Sequence, residues 1–270
     1  MAVYSCVPFF NEFHLLDLKI AEELDVVDRL VIAESDMTFQ GARKPLHLKG
    51  NPKYRHPKID LVLLEGRFDP GPWTEDVATL RRTTSGPWGN EALQRNALLR
   101  ECEDDDVFIV ADVDEINTRE DIPLIVEQAR AHGHVKLRQA LYYYKLNLRV
   151  QAAGDAVYWN RALAVTGRYL RETGLSLHDV RRTQGNSLMP TRGKHFSYLA
   201  DARGISEKIR SFAHAELNLS RFTDPAEIEA RMRDHIDPFE REFELERVEI
   251  DDSYPTALLD DLEAWHDYIA

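Results

Sequence analysis

The segment Val107-Phe108-Ile109-Val110-Ala111 is apolar without interruption and runs straight into Asp112-Val113-Asp114-Glu115. A strand that is apolar on both faces must be covered on both. That is the situation of a central strand in a parallel sheet packed between helices. The neighbouring periodicities agree. Ala2 to Phe9 is a short run rich in Val, Tyr and Phe, and after Asn11-Glu12 the apolar residues Phe13, Leu16, Ile20 and Leu24 recur at helical spacing. Arg29 to Ala33 and Ile59 to Leu64 predict two more strands, with a broken Gly/Pro/Lys-rich stretch from Gly41 to Pro57 between them. Gly89 to Glu103 predicts a helix. Strands alternating with helices give an α/β fold with a mainly parallel central sheet.

Beyond residue 133 the pattern turns mixed, with strand-like runs over Val135–Val150 and Ala156–Val165. Asp224-Pro225-Ala226-Glu227 combines a cap, a proline in the first turn and an early acid, which marks a helix start. A last amphipathic helix is expected over Thr256–Ile269. The domain reading is a main domain over 1–220 and an acidic helical extension over 221–270 packed on it.

Charge is unevenly distributed. The last 50 residues hold 16 acids and 5 bases, whereas residues 136–210 hold 14 bases and 5 acids. The basic middle suits an anionic ligand despite the formal total of −13. No apolar run exceeds five residues, far short of the roughly 20 that span a bilayer. MAVYSCVPFF lacks a basic leader and reads as a first strand. With two cysteines only, Cys6 expected in a strand and Cys102 in a helix, the expectation is a cytoplasmic protein without disulfides.

The chemical signal is the acidic exit from the central strand. Residues two apart on a strand point the same way, so Asp112 and Asp114 are expected to aim at one point beyond its C-terminal end. Ligands of open α/β sheets bind at that end. Two hard carboxylates there suit Mg²⁺ or Mn²⁺ shared with substrate phosphates. Asp104 and Asp106 share the spacing but precede the strand. An EF-hand fails because Ile116 and Asn117 stand where an Asp or Asn and a Gly are needed. A dehalogenase-type phosphatase lacks its later acidic element, since Gly154-Asp155 leads to Trp159 and Asn160. A nucleotidylyltransferase would carry a Gly-rich first loop, and Pro8-Phe9-Phe10-Asn11-Glu12 has no glycine.

Linked motifs narrow the reading. Phe10-Asn11-Glu12-Phe13-His14-Leu15-Leu16-Asp17, Val31-Ile32-Ala33-Glu34-Ser35, Asp105-Asp106-Val107-Phe108-Ile109, Asp112-Val113-Asp114-Glu115-Ile116 and Gly193-Lys194-His195-Phe196-Ser197 follow in order. In them the chain resembles glycosyltransferase family 17, over most of residues 9 to 218. One departure is Asn117, where the family usually has proline. The resemblance implies a GT-A-like fold and an inverting glycosyltransferase that uses a UDP-sugar, with N-acetylglucosamine favoured, and Mn²⁺ or Mg²⁺.

In that reading Asp114 is a direct metal ligand, and Asp112 binds ribose or the ion through water. His195 returns to the metal from the far side. Asn11 and Glu34 meet the nucleoside, and Arg95 forks onto a phosphate. Lys194, with Lys208 and Arg210, adds phosphate contacts. Inversion needs a base at the acceptor hydroxyl. Glu216 is the first choice, with Glu115, Asp201 and Glu207 behind it. Tyr142, Tyr144 and Trp159 are candidates for an apolar acceptor platform. The acceptor hydroxyl belongs to a glycan or another carrier, with a nucleic-acid acceptor left open. The alternative is a non-catalytic nucleotide-sugar or glycan-binding domain of the same fold.

Overall fold

A computed structural model describes residues 1–71, 85–183 and 187–270. Its sheet is ordered β12-β7-β6-β10-β4-β1-β2-β3. Strands β1 (Val3–Phe9), β2 (Arg29–Ser35), β3 (Ile59–Leu64) and β4 (Val107–Val110) are mutually parallel. Strand β10 (Leu163–Thr166) runs antiparallel between β4 and the long β6 (His134–Tyr143), so β6 points the same way as β4. Strand β11 (Leu188–Ser197) lies parallel to β6 and also pairs with β5 (Glu115–Ile116). The outer part is built from β7 (Leu148–Ala152), β8 (Asp155–Ala156), β9 (Tyr158–Trp159) and β12 (Glu244–Arg247). A parallel half joined through one antiparallel strand to a mixed half is the mainly parallel α/β arrangement with a mixed second half that the periodicity predicted.

The central strand is buried as its composition demands. Val107 and Ile109 pack on helix α3 (Ile122–His132), which follows β5. Phe108 and Val110 face the opposite side, where Leu98, Leu177 and Val180 cover them. Helix α1 (Phe13–Glu23) sets Leu15 and Leu16 against Val7, Phe9, Leu30 and Ile32. Helix α2 (Gly86–Asn96) begins earlier and ends earlier than the sequence suggested, because Pro87 sits in its first turn and Leu98 turns inward to full burial. Cys102 therefore lies in a loop and not in a helix, and both cysteines are free thiols.

Helix α1 also holds the loop that follows β4. Lys19 and Glu23 form a fully buried pair at 2.9 Å, and the Lys19 ammonium donates to the Glu115 carbonyl at 2.9 Å. Glu23 further accepts from Ser5 Oγ and from the Asn117 N–H and side-chain amide. Asn117 thus supplies a backbone donor that proline lacks, and its Oδ1 accepts from Gln139 at 2.9 Å.

Helices α4 (Gly167–Thr173), α5 (Leu177–Arg182) and α6 (Ala202–Ser211) complete the first 220 residues. After α7 (Ser220–Thr223) and α8 (Pro225–Arg233), β12 joins the sheet edge against β7. Tyr254 and Leu258 bury in the α1 core, and Glu22 accepts from the amide of Ala257 at 2.8 Å. The expected terminal helix is instead a short α9 (Thr256–Leu259) followed by 3-10 turns over Leu262–Tyr268. Burial of Leu258 and stacking of Tyr268 on His14 need two orientations that one straight helix does not offer.

Glu23→Ala should cost about 3–5 kcal/mol, because it strands the buried Lys19 ammonium. Chemical denaturation checks this; a loss under about 1 kcal/mol would mean that the pair does not hold the loop.

Candidate functional site

The chain leaves β4 at Val110, and residues 113–114 form a turn closed by the Glu115 N–H donating to the Asp112 carbonyl at 3.0 Å. Strand alternation therefore does not apply to Asp112 and Asp114, whose carboxylates are placed by the turn instead. Each carboxylate takes its own cations. Asp112 accepts from Arg95 at 2.9 Å and from Arg181 at 2.6 Å. Asp114 accepts from Lys208 at 2.6 Å and lies 3.3 Å from His195 Nε2. Glu115, fully buried, accepts from both terminal guanidinium nitrogens of Arg181 at 2.7 and 2.9 Å, from the Trp159 indole N–H and from the Asp112 amide.

These pairings set the charge states. Burial and the adjacent Asp114 push the Asp112 pKa up, and Arg181 and Arg95 outweigh them, so it lies below the ordinary value. Burial likewise opposes ionisation of Asp114, yet Lys208 and His195 hold it far below the usual carboxylate range. The Lys208 ammonium, shared between Asp114 and Glu12 (2.8 Å), is held cationic by both carboxylates against its own burial. Asp112 keeps 32% of its side chain exposed, whereas Asp114 keeps 7%.

The β11 backbone presents His195. A register shift lies between Pro190 and Lys194, and a Cβ on Gly193 would meet the Ile116 carbonyl and the Gln139 side chain at 3.0 Å. Glycine lets β11 approach β5 closely there. Adjacent strand residues point to opposite faces, so Lys194 and His195 do not serve one site. Lys194 instead donates to the Arg192 and Ser253 carbonyls, and burial pushes its pKa down to about 8.

The other expected residues divide. Asn11 donates to Glu207 at 3.1 Å on the rim of a cavity of about 110 Å³ that also touches Glu12 and Lys208. Glu34 is not available to a nucleoside: fully buried, it holds Lys44 and the amides of His47 and Leu48. Arg95 is buried between Asp112, Glu91 and His178, so its fork is already engaged. Burial and the Arg95 charge push the His178 pKa down to about 4. Glu216 pairs with His214 at 2.9 Å, and the His214 ring meets Trp88, over which Arg182 lies. Asp201 caps α6 through the Gly204 amide, and Arg210 bonds Ser206 and Thr223. Tyr142 and Tyr144 are buried in the core, while Trp159 packs 4.9 Å from the His195 ring.

Sequence reasoning missed Arg181 and Glu12. Arg181 sits in α5, whose start is a Ser176/Asp179 capping box legible as Ser-x-x-Asp. Nothing in that pattern says which of Arg181 and Arg182 turns inward. Glu12 directly precedes α1, where its sequence position signals only a helix boundary.

Arg181→Met should cost about 3 kcal/mol or more, since Glu115 would remain buried without its cation. Denaturant midpoints measure this, and Glu115→Gln in the same background should recover part of the loss. Acid tests Asp114 separately. Its lowered pKa contributes stability that is present above about pH 4 and lost as the pH falls below it. The melting-temperature gap between wild type and Asp114→Asn should therefore shrink between pH 6 and pH 3.

The chain matches the family model Glycosyltransferase family 17 over residues 1–241. The β-1,4-mannosyl-glycoprotein 4-β-N-acetylglucosaminyltransferases of Rattus norvegicus and Homo sapiens are each 33% identical to it over 129 residues. That match takes in 44% of this chain and 22% of each relative, so the likeness spans about a fifth of the relatives' length. Among solved structures, S. aureus TarS 1–349 is 11% identical with a TM-score of 0.43, covering 86% of this chain and 73% of that one. Francisella tularensis 2-C-methyl-D-erythritol 4-phosphate cytidylyltransferase is 11% identical with a TM-score of 0.39, covering 71% and 91%. On the breadth of the family match, the chain belongs to glycosyltransferase family 17.

Proposed function

We propose that this protein transfers a sugar, N-acetylglucosamine or a related hexose, from a UDP-sugar to an acceptor hydroxyl with inversion at the anomeric carbon. The observation that carries the reading is the Asp112–Glu115 turn at the C-terminal end of the innermost parallel strand, in a chain of this family. The same end gathers the tails of β1, β6 and β11, so a donor would lie across their crevice.

Among the described residues no group of three ligating His, Cys, Asp or Glu side chains converges. Two donors do face each other, Asp114 Oδ1 and His195 Nε2 at 3.3 Å, while Lys208 binds the other oxygen of Asp114. Mg²⁺ and Mn²⁺ are commonly held by one or two protein groups plus substrate phosphates, and imidazole favours Mn²⁺. Asp114 and His195 therefore fit such an ion. When bound, it would neutralise charge on the departing diphosphate. Lys208 would act beside it on the phosphates, already cationic and partly exposed. Asp112, the most exposed of the three acids, suits a ribose hydroxyl. Arg95, Arg181 and Glu115 act as positioning residues, because the Arg95 fork is spent on Asp112, Glu91 and His178, and Arg181 binds Glu115 and Asp112 together.

In the displacement, the acceptor oxygen bonds to the anomeric carbon as the bond to the diphosphate breaks, and a base takes the hydroxyl proton. Glu216 is the proposed base. It pairs with the His214 imidazole, whereas Glu115 is locked by Arg181 and Asp201 by its helix cap.

Release of UDP or GDP from a panel of nucleotide sugars, with Mn²⁺ and with EDTA, tests the reading. UDP-N-acetylglucosamine is expected to turn over, and Asp114→Asn to lose about 100-fold or more in kcat. Glu216→Gln should suppress transfer while leaving UDP affinity within about twofold, as expected for an acceptor-side base. Donor binding without any turnover would return the non-catalytic alternative, and no binding of any donor would remove both.

A further inference from the structure

A second cavity, of about 840 Å³, opens at the same end of the sheet, between the tail of β6, the start of α6, helix α8 and strand β12. Its charged lining is Lys145, Arg203, Arg233 and Arg247 against Asp201 and Glu229. Arg233 and Arg247 are two of only five bases in the last 50 residues, which carry 16 acids, so positive charge gathers here against the local composition. Arg203 and Arg247 are exposed and make no ion pair or side-chain hydrogen bond among the described residues. The other charges are partly engaged. Lys145 donates to the Asp267 carbonyl, Arg233 pairs with Asp234, and Asp201 accepts from the Gly204 amide. Two helix N-termini, those of α6 and α8, also border the space, each already capped by an aspartate, Asp201 on the Gly204 amide and Asp224 on the Ala226 amide.

The cavity lies beside the carboxylate turn. Helix α6 starts at its wall with Asp201 and Ala202 and, about two turns on, delivers Lys208 to Asp114, a separation of about 10 Å along the axis. That is the length of about two sugar rings. Met232 and Ile269 add apolar atoms to its lining.

We propose that this cleft is an acceptor subsite that takes an anionic glycan, one bearing a phosphate or a carboxylate, with Arg203 and Arg247 as its free cations. The proposal rests on the transferase reading above and names its acceptor class. A charged group held there would leave a hydroxyl one or two residues along the glycan within reach of the donor crevice.

Binding of mannose 6-phosphate, glucuronate and neutral methyl mannoside to the full chain, followed by NMR titration at low and high salt, tests it. At least one of the two anions should bind about tenfold tighter than methyl mannoside, with the preference weakened by salt. The phosphate and carboxylate arms tell which group is favoured. Arg203→Ser with Arg247→Ser should abolish the preference with the melting temperature kept within about 2 °C, as expected of exposed positions. Glu229→Gln, which removes a competing charge, should tighten the anion about twofold. Equal binding of all three sugars, or a preference that survives the double substitution, would overturn the proposal. UDP binding by the unaltered protein, measured alongside, separates that failure from failure of the transferase reading.

Discussion

Three carboxylates within four residues, at the exit of a buried strand, cannot stay ionised together without compensation. The protein answers with a fixed cation for each. Arg95 and Arg181 hold Asp112, Arg181 also forks onto Glu115, and Lys208 joins Asp114 to Glu12. The cations arrive from three separate helices, so the acidic turn ties α2, α5 and α6 to the end of β4. The buried Lys19–Glu23 pair does the same for the backbone beneath it, through the Glu115 carbonyl and Asn117.

This arrangement divides labour among acids that look alike in sequence. Glu115 is fully buried with every oxygen engaged, so it orients Arg181 and cannot move a proton. Asp114 is nearly buried but offers one oxygen beside an imidazole, a pairing suited to an ion. Asp112 is the one with surface to meet a ligand. A single turn thereby presents one fully buried, one nearly buried and one partly exposed carboxylate.

The family match covers the residues of the acidic turn, and the charge network gathers them at the edge of the sheet where β4 ends. The first rests on residues in order along the chain, and the second on which side chains meet in space. Beside that edge, the last 50 residues build the wall of the larger cavity and also close the α1 core through Tyr254 and Leu258. The acidic segment is thus continuous with the sheet it flanks, through the β12–β7 pairing.

The α/β class, the central strand and the acidic turn were legible from periodicity, because burial on both faces leaves an unbroken apolar run and helices leave a 3.6-residue repeat. So was the motif order that identifies the family. The direction of Asp112 against Asp114 was not, since it depends on the strand ending at Val110, two residues before the carboxylates begin. Nor could the linear order show that Glu34 is spent on the Lys44–Leu48 loop, or that Arg181 and Glu12 pair with residues 66 and 196 positions away. Propensity and alternation are local, written in neighbouring residues. The partner of a buried charge is chosen by whichever element folding brings within about 3 Å, and that choice belongs to the packed molecule alone.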